Sequence, residues 1–314
     1  MSDHHGPSDA VAWRKWAFAA VPIAGLLELG AHVVQTHSVA PRGDWEAARA
    51  YVAAHAAPDD LVAFAPWWAD PVGRETFGPG IATVQREARA DETRFPRALE
   101  VAIRGEHLPE LASWRKAEQQ RFGRVTVTTW DNPAPVHVLE DLVSLVDPAR
   151  MRVSRVDGAR EAECPASHAG VQSGGLGFGP AVPSERFSCP GGGFVATSIV
   201  ADLDYRPHRC IYAPAPGGGG SVRLHFLDVQ AGQALVGHHA IYVEAERDRK
   251  GAPVTLTFRA GGIVIGSVTH HDGDGWKAFE FDTSDLAGQR VELIAEISAP
   301  SGDRRQYCFE AVTR

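Results

Sequence analysis

An alternation of apolar and polar residues recurs through the C-terminal third and limits the fold more than any other feature. In SVRLHFLDV, Val222, Leu224 and Phe226 share one face while Arg223 and His225 take the other, because successive strand side chains point to opposite sides. HAIYVEAER, VTLTFRAGGIVIGSV and WKAFEFDT alternate in the same way, followed by QRVELIAEIS and RQYCFEAV. Upstream, FVATSIVADLDYRPHRCIY has strand character and APAPGGGG reads as a turn or loop. Many short strands separated by turn residues predict an antiparallel β-sandwich. SGGLGFGP and CPGGGF are glycine-rich, but GGLGFGP is no nucleotide fingerprint because no helix follows it.

The four cysteines, Cys164, Cys189, Cys210 and Cys308, all fall in this half, and none forms a CxxC pair. That spacing argues against a thiolate zinc site. An even set in one domain reads as two disulfides formed in an oxidising compartment. Of the three pairings, Cys164–Cys189 with Cys210–Cys308 is expected, the second tying the start of the main β-region to its last strand.

The N-terminal half is organised differently. Residues 1–12 are a polar, disordered tail, and 13–38 read as a membrane anchor helix: WRKWAFAAVPIAGLLELGAHVVQTHSVA has a basic flank followed by an apolar run. Glu28 and His32 interrupt that run near its far end. The basic flank stays cytoplasmic, so a single-pass signal-anchor would place the rest outside the cell membrane. Residues 41–147 read as a small α/β domain, with a helix after Gly43, strands Leu61–Ala65, Ala98–Gly105 and Arg124–Trp130, and a second helix over Leu108–Gly123. REARADETRFPR, Arg86–Arg97, reads as a solvated helix face. Residues 150–314 form the sandwich, so the class is α+β multidomain.

Two partial resemblances follow from these segments. Residues 16–130, through GDWEAARAYVAAHAAPDDLVAFAP, LEVAIRG and VTVTTW, resemble the C-terminal extracytoplasmic tail of membrane glycosyltransferases of the protein-mannosyltransferase or aminoarabinose-transferase type. The chain lacks the multi-span region that holds that family's catalytic acids, so the activity does not transfer. Residues 205–314, through CIYAP, GHHAIYVEAER, HHDGDGW and YCFEAVTR, resemble jelly-roll modules of the carbohydrate-binding kind.

The candidate chemistry centres on THHDGDGW, residues 269–276. Asp272 and Asp274 give it the oxygen content of a calcium loop, but Trp276 stands where an EF-hand needs its third ligand. Asp-Gly-Asp-Gly also makes a hairpin turn, the preferred reading. A transition-metal alternative would use one histidine from each pair, His238 and His270, with Asp272 or Asp274. No cofactor is required, and calcium is the one the loop would take. There is no G-x-S-x-G nucleophile elbow.

Aromatic rings stack on the apolar faces of sugars, which makes Trp276, Tyr242 and Tyr212 ligand-binding candidates with Asp274 and Arg247 as hydrogen-bonding partners. A second candidate pocket lies in FAPWWADPVGRETFG, after a strand's C-terminal end, with Trp67, Trp68, Asp70 and Arg74. A net charge of -8 argues against nucleic acid. The expected protein is a membrane-anchored, extracytoplasmic, non-catalytic binder of glycan or another envelope component. The alternative is a metal-assisted hydrolase or lyase acting on envelope polysaccharide.

Overall fold

The computed structural model describes residues 9–77, 92–171 and 182–314. Residues 86–91 of the Arg86–Arg97 segment, the SGGLGFGP stretch and residues 1–8 therefore lie outside the described residues. Helix α1, Asp9–Ser38, spans the expected anchor. Yet no helix among the described residues is long and apolar enough to cross a membrane. Pro22, Gly25, Glu28, Gly30 and His32 dilute the apolar run, so the expected membrane span is not supported. The large apolar residues of α1, Phe18, Leu26, Leu27 and Val34 among them, are exposed.

The α/β layer holds α2 (Arg42–His55), β1 (Leu61–Ala65), α3 (Asp70–Phe77), β2 (Arg97–Ile103), β3 (Arg115–Phe122) and β4 (Val125–Asp131). Sheet order is β1-β2-β4-β3. β1 and β2 are parallel, as expected of an α/β unit, whereas β2–β4 and β3–β4 are antiparallel. The apolar stripe of α2, Trp45, Ala48 and Val52, packs with Val62, Phe64, Leu99 and Val101. The other face of the same strands presents Leu61, Ala63, Ala65 and Ala98 to Leu108, Leu111 and Trp114. β1 is thus covered on both sides, which explains its uninterrupted apolar sequence.

Three segments differ from expectation: within HAIYVEAER the strand ends at Ile241 and Val243–Glu246 is helical, VTLTFRAGGIVIGSV is two paired strands turning at Gly261-Gly262, and the third is Leu108–Gly123. Leu108–Gly123 is not a helix: a single 3-10 turn at Pro109–Leu111 is followed by the exposed edge strand β3. Gly123, expected as a helix terminator, has φ +57° in the two-residue turn joining Phe122 to Val125. Positive φ suits glycine in a tight hairpin as well as at a helix end.

The chain then enters the sandwich through β5 (Glu140–Asp141), β6 (Met151–Asp157), β7 (Arg160–Glu163), β8 (Ala166–His168), β9 (Glu185–Ser188) and β10 (Phe194–Ala201). It continues with β11 (Pro207–Tyr212), β12 (Ser221–Gln230), β13 (Ala234–Ile241), α4 (Val243–Glu246), β14 (Val254–Ala260), β15 (Ile263–His270), β16 (Lys277–Asp282), β17 (Arg290–Ser298) and β18 (Tyr307–Thr313). One sheet runs β15-β14-β17-β12-β6-β7, the other β16-β13-β18-β11-β10-β9-β8, with β5 on β18. From β11 onward the strands cross between sheets at every connection except the β14–β15 hairpin. That is the wiring of a jelly roll. Residues 150–204 supply β6 to β10 and so extend the two sheets.

Leu224, Phe226, Phe258 and Ile297 from one sheet meet Ile211, Leu235, Phe279 and Phe309 from the other. Burying each such side chain contributes roughly 1.5–3 kcal/mol. Both expected disulfides are present, Cys164–Cys189 and Cys210–Cys308.

Candidate functional site

The α/β layer and the sandwich meet around a cavity of about 240 Å³. From the first come Phe64 at the end of β1, Trp67 and Asp70 just beyond it, Glu92 and Glu110. From the second come Arg206 and His208 at the start of β11, His238 on β13 and Trp276 ahead of β16. The β1 contribution follows the α/β rule that loops beyond strand C-termini line ligand sites. Two regions that the sequence offered as separate candidates, around Trp67 and around Trp276, therefore share one cavity.

Each wall has a visible cause. Asp202 is buried, and its Oδ1 accepts the amides of Asp204 and Arg206 at 2.9 and 3.0 Å, turning β10 into β11. Its Oδ2 lies 2.9 Å from His208 Nε2. Buried Glu310 does the same for the other imidazole, with Oε1 2.7 Å from His238 Nδ1. Both rings lie parallel to the Trp276 indole, with centroids at 3.9 Å for His208 and 5.6 Å for His238. The Trp276 Nε1 donor is buried with no hydrogen-bond partner among the described residues. An unsatisfied indole N–H beside a cavity is a donor left available to a ligand. Arg206 joins the two layers, with Nη1 3.3 Å from Glu110 Oε1 and its guanidinium 5.8 Å from the Trp67 ring centroid. Asp70 accepts from Arg74.

The other predicted residues are placed elsewhere. Tyr212 and Tyr242 are 5% exposed and pack with Val200, Cys210 and Cys308. Burial pushes the Tyr212 hydroxyl up to about 12. Neither tyrosine can stack on a sugar from that position. Arg247 sits at the surface, bonded to the Tyr205 hydroxyl at 2.9 Å and Glu244 at 3.0 Å. Trp68 is half exposed beneath the Arg104 guanidinium.

The HHDGDGW loop is a turn between β15 and β16, but not the expected hairpin: β15 pairs with β14 and β16 with β13, so the turn carries the chain from one sheet to the other, and it is stapled from outside. Glu246, fully buried at the end of α4, accepts through one oxygen from Gly275 N (2.8 Å) and Gly273 N (3.1 Å), with His270 Nε2 at 3.0 Å. Asp272 accepts from the buried Arg305 at 2.6 Å and from Gly251 N at 2.8 Å. Asp274 accepts from its own turn at His271 N and from Lys277. These contacts hold its carboxyl below the ordinary carboxylate range, against the opposing effect of burial. His238 lies at the cavity and His270 in the interior, so the metal candidates His238, His270, Asp272 and Asp274 do not converge. Among the described residues no group of three or more His, Cys, Asp or Glu is placed to hold a metal ion.

Asp202, His208, Arg206, Glu110, Glu92 and Glu310 were not singled out from the sequence. Asp202 and His208 flank a short loop between two strand-like runs, which is a readable hairpin signal. Nothing local marks Glu92, Glu110 or Glu310, because tertiary contacts bring them to the cavity.

No family model matches the chain, and no curated protein matches it. Solved structures with partial similarity include the CBM51-2 and INT domains of Clostridium perfringens ZmpB, at 8% identity over 56% of this chain and 40% of that one, with a TM-score of 0.27. The same domains in complex with GlcNAc give 9% identity over 61% and 44%, also at 0.27. Xylanase10C from Cellvibrio japonicus in complex with xylopentaose gives 10% identity over 54% and 27%, at 0.24. This chain spans less than half of each of those chains. Similarity this distant carries no argument about activity, and the glycosyltransferase resemblance gains no support from it.

Proposed function

We propose that the chain is a non-catalytic glycan-binding protein whose ligand sits in the cavity between the two layers. The observation that carries the reading is the meeting of Trp67 and Trp276, from different layers, at one cavity that Asp70, Glu92, Glu110 and Arg206 also line. The Trp67 indole supplies flat apolar surface for a sugar ring and Trp276, with one face stacked on His208, supplies its N–H, while Asp70, Glu92, Glu110 and Arg206 supply acceptors and donors for the hydroxyls. At about 240 Å³ the space suits one sugar unit better than an extended chain. Two disulfides favour an oxidising, extracytoplasmic setting. The jelly-roll wiring agrees with this reading without requiring it.

The test is a glycan array on the full chain, run with calcium and with chelator, followed by calorimetry on the best ligand. Trp276→Ala and Trp67→Ala are each expected to weaken binding at least tenfold while the melting temperature changes little. Equal binding in chelator would remove calcium from the site. Absence of any glycan ligand, or binding indifferent to both tryptophans, would end the proposal.

A further inference from the structure

A second cavity, of about 540 Å³, lies where the end of α1 meets the α/β sheet. Val34 and Ala40 form one wall; Arg104, Arg121, Arg124 and Thr126 contribute to the rest, and no carboxylate lines it. Elsewhere arginines are neutralised: Arg97 by Asp60, Arg206 by Glu110, Arg305 by Asp272. Among the described residues the guanidinium groups of these three have no acidic partner, although the Arg124 amide donates to Asp44 Oδ2 at 2.8 Å. Arg121 Nε donates to Gly123 O at 2.8 Å, and Arg124 Nη1 to Val39 O at 3.2 Å. Arg104 stands over the Trp68 ring, 5.3 Å from its centroid.

Their backbones are fixed rather than loose. Arg121 is on β3 just before the β3–β4 turn, Arg124 is the turn's second residue, and Arg104 occupies a positive-φ position directly after β2. Three like charges held around one space repel each other unless an anion joins them. The net charge of the chain is -8, so general basicity does not explain the cluster.

We propose that this cavity binds a phosphate-bearing ligand through Arg104, Arg121 and Arg124. Guanidinium forks match phosphate oxygens in pairs, and a phosphate offers enough oxygens for more than one fork. A carboxylate is satisfied by one. Free phosphate groups and phospholipid headgroups share this chemistry. The exposed apolar residues of α1, ending at Val34 on the cavity wall, give the lipid a place for its chains.

Calorimetry on the full chain with inorganic phosphate, and with acetate as the comparison anion, reads the site directly. Phosphate is expected to bind at least tenfold more tightly than acetate. The combined variant Arg104→Gln, Arg121→Gln, Arg124→Gln should lose that binding while retaining its melting temperature and any glycan affinity. Flotation with phosphatidylcholine vesicles, with and without phosphatidic acid, separates the sources. Capture that needs phosphatidic acid and the three arginines supports a lipid ligand; phosphate binding without capture supports a soluble one. Equal affinity for acetate, or no binding by either method, overturns the proposal. So does binding that survives the triple substitution.

Discussion

His239 shows how one buried side chain sets a property of the whole fold. It faces the sandwich interior from β13, fully buried, with Nδ1 2.9 Å from the Tyr307 hydroxyl. Its neighbour His238 points the other way, to the cavity, as strand alternation requires. Burial first, and then the nearby His270, lower the His239 pKa to about 3. The same imidazole in the unfolded chain titrates near ~6.5. Between those values the unfolded state binds a proton that the folded state refuses. Stability from this residue is therefore complete above about pH 6.5 and declines as the pH falls towards 3, by up to about 1.4 kcal/mol per pH unit. Urea unfolding at pH 7, 5.5 and 4.5 should show that decline. His239→Gln, which can still bond Tyr307, should show a shallower one. Identical slopes in the two proteins would mean that other groups govern acid unfolding.

At the scale of elements, the β15–β16 turn depends on a carboxylate it does not contain. Glu246 gathers two glycine amides of the turn and His270 onto one oxygen. Glu246→Ala removes all three acceptor contacts inside a closed interior and should destabilise the protein by about 3 kcal/mol. It should also weaken the glycan binding proposed above, because the turn delivers Trp276 to the cavity. Hydrogen exchange at Gly273 and Gly275 would report the loosening, and unchanged protection there would refute the stapling role. That the chain turns here was legible, since Asp-Gly-Asp-Gly encodes positive φ locally, and Gly273 and Gly275 adopt it; that the turn passes between sheets instead of closing a hairpin was not, because strand pairing is set elsewhere in the chain. Its anchor was not, because Glu246 is distant in sequence. The strands of the sandwich were legible for the same local reason, through period-two alternation. β3 was not: RKAEQQRF is rich in good helix formers, and its pairing with β4 overrides that preference. Trp67, Asp70 and Trp276 were visible as unusual residues, but their meeting across two layers is a product of topology that no local pattern encodes.

For the molecule as a whole, the two disulfides have different reach. Cys164–Cys189 closes a separation of 25 residues, and Cys210–Cys308 one of 98. On chain-entropy grounds the first contributes about 3.5 kcal/mol and the second about 4.7 kcal/mol. The larger difference is positional. Cys210 lies two residues beyond His208 on β11, and Cys308 two before Glu310 on β18, so each shares a strand face with a residue that shapes the cavity. Both sulfurs pack with Tyr212 and Tyr242, and Trp276 rests on the same cluster. The bond therefore clamps the strands that hold the His208–Asp202 and His238–Glu310 pairs against the indole. Replacing Cys210 and Cys308 with Ala should lower stability and weaken glycan binding together. Replacing Cys164 and Cys189 should lower stability alone, since that bridge joins the short peripheral strands around β7 to β9. Guanidinium unfolding and calorimetry on the two double variants separate these effects. Equal losses of affinity in both would show that the disulfides act on the cavity only through global stability.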